Sequence, residues 1–256
     1  MAMRRTLLSV VILAMSLFPT QRVVAAGFGD SLSVAVRAGY NVGATTPMGM
    51  PSSIVSVDAF KPTPSFRIGS DVLLPLSGRW GLSAGLQIEN KAMDADVTTK
   101  GYHMEMRRGS ESLEGLFTGH VSQQVTQWMI TLPVCGVYSL NPKLRLRAGL
   151  YGSLLLKKEF SGIASDGYIR KGGATGPKID IGNTSSTWAT YDFSDEMRTL
   201  QVGVLMGADW QPFPRLGFYF DLGFGYTGIF QSDFKTVEQT LYPVYGSLGL
   251  VFLLIR

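Results

Sequence analysis

Eight stretches of this chain alternate large apolar residues with small or polar ones at a period of two, and only a strand turns such alternation into two distinct faces. They cover about 30–42, 65–76, 79–92, 123–139, 143–160, 197–211, 215–230 and 241 to the end. In the first, Leu32, Val34, Val36, Ala38 and Tyr40 share one face and Ser33, Ala35, Arg37, Gly39 and Asn41 the other. In the seventh, Phe218, Phe220, Leu222, Phe224 and Tyr226 oppose Gly217, Tyr219, Asp221, Gly223 and Thr227. The less apolar face settles the environment. A soluble sandwich would send it to water and furnish it with Lys and Glu. Here it is mainly Gly, Ser and Thr, with a few charges of both signs. The 30 glycines, 11% aromatics and 16% charged residues fit a crowded interior and a greasy exterior.

Connection lengths alternate. Tight turns are expected at Ser77-Gly78, Leu140-Asn141-Pro142 and Pro212-Phe213-Pro214, where Gly, Asn and Pro supply turn geometry. Long connections are expected over 43–64, 93–122, 161–196 and 232–240. Short turns at one end and long loops at the other form the outer-membrane barrel pattern. The expected fold is all-β: a closed, up-and-down antiparallel transmembrane β-barrel of eight strands. An even count puts both termini with the short turns, in the periplasm, and the long loops outside.

The start of the chain assigns the compartment. Arg4 and Arg5 precede an apolar run from Leu7 to Phe18, which ends in the small residues of Val24-Ala25-Ala26. That is the pattern of a secretory signal peptide. The run is about 12 residues, short of the roughly 20 a spanning helix needs. Residues 1–26 are read as a cleaved signal peptide and 27–256 as the barrel, located in the cell outer membrane. No later stretch is long and apolar enough for a helical span, so insertion must use strands closed on themselves. The single cysteine, Cys135, has no partner for an intramolecular disulfide. The net charge of +4 is modest and partly belongs to the first 26 residues, so nucleic acid is not expected as a partner.

Two groups of residues stand out. On the inward face, Arg37, Arg67, Arg145, Arg147 and Lys157 are matched against Asp71, Glu89, Asp209 and Asp221. An eight-stranded barrel is just wide enough for side chains to fill, so these charges are expected to pair as a lumen network. A selectivity ring in a narrow pore is the alternative. On the outward face, Tyr40, Trp80, Trp128, Tyr138, Trp210 and Tyr242 fall near segment ends, as an interfacial aromatic girdle does.

Catalytic patterns are sparse. His103 and His120 both fall in the 93–122 connection, near Glu105, Ser110, Glu111 and Ser112, but no spacing joins them into a nucleophile-and-base set. Walker, HExxH and paired CxxC motifs are missing. Asp94-Ala95-Asp96 lacks the rest of a calcium loop. No catalytic residue, metal or cofactor is expected. Met104-Glu105-Met106-Arg107-Arg108 reads as strand extension or loop.

The fourth and fifth segments carry a more specific pattern. Trp128-Met129-Ile130-Thr131-Leu132-Pro133-Val134 is followed, across the Asn141-Pro142 turn, by Leu144-Arg145-Leu146-Arg147-Ala148-Gly149-Leu150-Tyr151-Gly152. This resembles the PorT-like outer-membrane β-barrel domain of Bacteroidetes, and the Phe-rich seventh segment and closing strand resemble that family's last hairpin. The likeness extends over about 28–256. It departs at Gly149-Leu150-Tyr151, which lacks the usual Pro, and at Arg256, where the family has an aromatic residue; Phe252 is then the candidate signal for the assembly machinery. The resemblance implies an eight-stranded barrel without assigning one activity; its namesake is tied to protein secretion. The expected partners are outer-membrane lipid, the barrel-assembly machinery during insertion and an envelope protein. The expected role is structural or interactive, with secretion or adhesion as settings. A small-solute pore and a lipid-modifying enzyme are the alternatives.

Overall fold

The computed structural model describes residues 32–49, 51–234, 236–237 and 239–255. The expected signal peptide, 1–26, lies outside them. Eleven strands are described: β1 (Ser33–Pro47), β2 (Ile54–Pro62), β3 (Ser65–Pro75), β4 (Trp80–Arg108), β5 (Glu111–Asn141), β6 (Leu144–Lys171), β7 (Lys178–Ile181), β8 (Ala189–Asp192), β9 (Leu200–Trp210), β10 (Leu216–Gly225) and β11 (Leu241–Ile255). Among the described residues no helix is long and apolar enough to cross a membrane.

Eight of these strands form a ring in chain order: β1, β3, β4, β5, β6, β9, β10 and β11. Every neighbouring pair is antiparallel, β4–β5 joins what would otherwise be two edges, and β1 returns to β11 from Val34↔Ile255 to Pro47↔Leu241. Closure leaves no unpaired edge within the ring, the condition a sheet must meet in lipid. The eight ring strands correspond to the eight alternating segments. The fold is a closed up-and-down barrel.

Alternation sets which face is which. Leu150, Leu154, Val204, Phe220, Leu248 and Leu250 are exposed on the outside, while Arg37, Asp71, Glu89, Arg147, Asp221 and Ser247 are buried inside. The inversion of the soluble pattern is the point: grease faces outward and charge inward.

Three expected long connections are corrected: 43–64 contains the end of β1 and the whole of β2, which pairs with β4 from Ile54↔Thr99 to Pro62↔Met93. Residues 93–122 are not a loop but the continuation of β4 and β5, which pair out to Arg108↔Glu111. Residues 161–171 likewise extend β6, with β7 and β8 paired to it. These extensions carry their own apolar alternation. Met104, Met106, Leu113, Phe117, Val121 and Val125 point into a second core, with Phe160, Ile169, Tyr191 and Phe230. β8 pairs with β6 and touches β4 at Arg107↔Thr190, so the extended sheet curls over this core. β4 bends where its register shifts between Thr99 and Tyr102; Gly101 sits there at φ 66°, a conformation costly for a residue with a Cβ.

Lys157 is also corrected. Trp128 pairs with Lys157 but Met129 with Leu155, so Leu156 is an extra residue in β6. Such a bulge shifts the phase by one. Leu155 stays on the inward face with Tyr151 and Ser153, but beyond the bulge Phe160 and Ala164 take that face, so Lys157 is turned out, 64% exposed beside Glu159.

Candidate functional site: a charged plug under an apolar cap

Six ring strands send charged side chains to one place. Arg37 comes from β1, Arg67 and Asp71 from β3, Glu89 and Lys91 from β4, Arg147 from β6, Asp209 from β9 and Asp221 from β10. Arg37 grips Asp209 with both terminal nitrogens, at 2.9 and 2.7 Å, and its Nε donates to Asp71. Arg147 is the hub: Nη2 lies 2.6 Å from Asp221, Nη1 3.2 Å from Asp71 and Nε 3.4 Å from Asp209. Arg67 bridges Asp221 at 3.1 Å and Glu89 at 2.9 Å. Lys91 adds its ammonium to Glu89 at 3.2 Å, between the rings of Tyr151 and Tyr245. The charges form one connected network in which four cations meet four carboxylates.

Neutral groups complete it. Thr131 donates to Glu89 at 2.7 Å, and the Asn41 amide donates to Glu89 at 3.3 Å; Ser247 donates to Asn41 at 2.6 Å. The carboxylates reach the axis because the wall beside them is bare. A Cβ on Gly85 would strike Asp71, and one on Gly207 would strike Asp221. Beside the network, towards the short turns, remains a cavity of about 20 Å³, lined in part by Arg37, Asp71, Arg147 and Asp209. That holds about one water molecule.

Of the inward charges singled out in the sequence, seven meet in this network. Arg145 lies nearer the short-turn mouth, where its Nη2 donates to Gln211 at 2.6 Å. Lys91 was not singled out for the network, although its place two residues after Glu89 on the same face is a legible signal.

The outward aromatics fall at two levels. Trp80 and Tyr138 meet at 4.8 Å and Trp210 stacks on Phe218 at 5.7 Å, near the short turns. At the other end Trp128 meets Phe66 edge-on at 5.3 Å, Phe66 pairs with Tyr40 in register, and Tyr242 stacks on Phe224 at 5.9 Å. Trp128 and Tyr138 are ten positions apart on β5. At about 3.3 Å per residue and a tilt of about 40°, the two levels stand about 25 Å apart, the height of an apolar band in a membrane barrel.

The histidines sit on the long strands, outside that band. His103 lies 3.6 Å from Glu114. His120 Nδ1 is 3.0 Å from the Thr98 hydroxyl, which donates to Asp58 at 2.6 Å. The hydroxyl is spent on the carboxylate, so the trio is not an acid–base–nucleophile relay, in which the base would stand between the other two. Ser122 donates to Asp96 at 2.6 Å. Among the described residues no group of three or more His, Cys, Asp or Glu is placed to hold a metal. Cys135 is buried on the inward face.

Hydrogen bonds from Ser56 and Thr98 hold the exposed Asp58 carboxyl below the usual carboxylate range. A depressed carboxylate contributes stability above its unfolded value, near pH 4, and loses it as pH falls through the folded value. β2 is therefore expected to be clipped faster by an acid-active protease at pH 3 than at pH 5, with Asp58→Asn narrowing that difference. Equal pH dependence in both proteins would remove the carboxylate from the account.

A ring-closed sheet with lipid-facing apolar residues and a charged axis defines an outer-membrane β-barrel protein. The chain belongs to the outer membrane protein beta-barrel domain family, whose sequence model matches residues 21–231. Its location is the outer membrane. No curated protein sequence matches it significantly. Similar solved structures include Ail, the attachment invasion locus protein of Yersinia pestis, in complex with the heparin analogue sucrose octasulfate (9% identity, 87% of this chain and 97% of that one, TM-score 0.39). CarO2 of Acinetobacter baumannii is similar at 14% identity, over 86% and 99% of the two chains, with TM-score 0.38. OprG of Pseudomonas aeruginosa is similar at 12% identity, over 90% and 99%, with TM-score 0.30.

Proposed function

We propose that this is a plugged, non-enzymatic barrel whose role is to hold the extended β4–β5–β6 sheet outside the cell as an interaction surface, in secretion or adhesion. One observation carries the reading. The connected charges fill the lumen beside a cavity of about 20 Å³, and the apolar core of the extended strands lies over them. Opening a hydrated path would separate buried pairs at a cost of several kcal/mol. The short turns and termini are assigned to the periplasm and the two aromatic levels to the lipid–water interfaces. The Trp128–Gly152 pattern supports a PorT-like placement within the family, with 1–26 removed on export. Assembly machinery and outer-membrane lipid are then partners during insertion and an envelope protein is the partner afterwards.

Planar-bilayer recording tests the plug. The purified barrel is expected to give no stepwise conductance in 1 M KCl. Reproducible single-channel steps would replace this reading with the narrow pore. Changing His103 and His120 to Ala is expected to leave lipid A unaltered by mass spectrometry; a changed profile would favour the lipid-modifying enzyme.

A further inference from the structure

Above the charged plug, the extended strands enclose a second cavity, about 160 Å³ in volume, that the display role does not use. Met93, Met104, Val121 and Phe160 are buried and form its floor; Val57 and Phe60 are half-exposed and mark its solvent side. No charged side chain lines it among the described residues. Its polar lining is confined to threonines, one glutamine and tyrosine hydroxyls.

We propose that this cavity binds a small, neutral, mainly apolar molecule of aromatic-ring size, taken from the outer side. Three features select that class. The volume is close to the roughly 150 Å³ of an apolar cavity that accepts benzene. A charged ligand would be desolvated without a counter-charge. Two methionines in the floor let the wall adapt, and thioether sulfur packs well on aromatic rings. The floor ends at the plug: the Thr45 amide meets Met93 sulfur at 3.1 Å, and Lys91 lies two residues before Met93 on the inward face. The cavity thus ends against the charged plug on its inner side, as suits capture and not passage.

Indole is the probe. The purified full chain in detergent micelles, with methionine methyls labelled with carbon-13, is titrated with it by NMR. The Met93 and Met104 methyls are expected to shift saturably, with half-saturation on the order of 0.1–1 mM. Met206, exposed on the lipid face, reports partition into the micelle alone. Ala95→Phe fills the cavity and is expected to weaken saturation at least tenfold. Val57→Trp, at an exposed strand position, blocks the solvent side and is expected to do the same if the first variant folds poorly. Shifts of Met93 and Met104 that merely follow Met206, or saturation unchanged in the folded variants, would overturn the proposal.

Discussion

Replacing Arg147 by Met is expected to destabilise the barrel by about 3–5 kcal/mol, the scale for breaking a buried ion pair by removing one partner. Arg147 touches Asp71, Asp209 and Asp221, all buried, so its loss leaves four carboxylates facing three cations at the axis. Burial is what makes the number large; an exposed pair would be worth a kcal/mol or less. Reversible urea unfolding in lipid vesicles, followed by tryptophan fluorescence, measures the loss. Two companion variants separate charge from shape. Arg147→Lys keeps the charge but not the planar fork that serves three acceptors, so it should recover only part. Arg147→Met with Asp221→Asn restores the balance, and the two changes should couple favourably by about 1–3 kcal/mol. A single variant within about 1 kcal/mol of wild type would mean that the charges are not acting as a connected plug.

Gly207→Val should cost about 3 kcal/mol, combining overpacking with displacement of a buried carboxylate. The new Cβ would occupy the space of Asp221 Oδ1, which already serves Arg147, and would lie 2.7 Å from the Phe220 carbonyl oxygen. Gly85→Val makes the same test at Asp71, with the Ser70 carbonyl oxygen 2.9 Å from the added carbon. The control is Gly152→Val, where nothing lies within 4 Å of the added carbon. A β-branched residue suits a lipid-facing strand position, and the control should stay within about 0.5 kcal/mol of wild type. Unfolding midpoints from the same assay decide it. Equal effects at 152 and 207 would show that valine is disfavoured generally, and that glycine at the axis makes no particular room for the carboxylates.

The ring was legible because lipid on one side and a narrow axis on the other force strict alternation, which neither short turns nor composition obscures. The charges were legible for the same reason: Arg37, Asp71 and Asp221 interrupt faces of small residues, and an eight-stranded lumen gives them nowhere to go except to one another. The extended strands were not. Their connections are rich in Gly, Ser, Thr and Asp, as solvated loops are, yet Leu113, Phe117, Val121 and Val125 recur every four residues, all on one face of a strand. Lys157 was misplaced because Leu154-Leu155-Leu156 is apolar on both faces, so the extra residue at Leu156 leaves no trace in the pattern. The cavity was beyond reach, since its walls come from strands far apart in sequence and its volume depends on how they curl.

Accessibility along β11 tests the central claim most directly. Nitroxide labels placed singly from 247 to 253, on the barrel in lipid vesicles, report collisions with dissolved oxygen, which concentrates in lipid, and with a water-soluble nickel chelate. Oxygen contact is expected to peak at 248, 250 and 252 and to fall at 247, 249 and 251, with the chelate excluded from all the lipid-facing sites. A profile without the two-residue period, or one in which 248 and 250 are open to the chelate, would contradict a barrel that turns its apolar face to lipid.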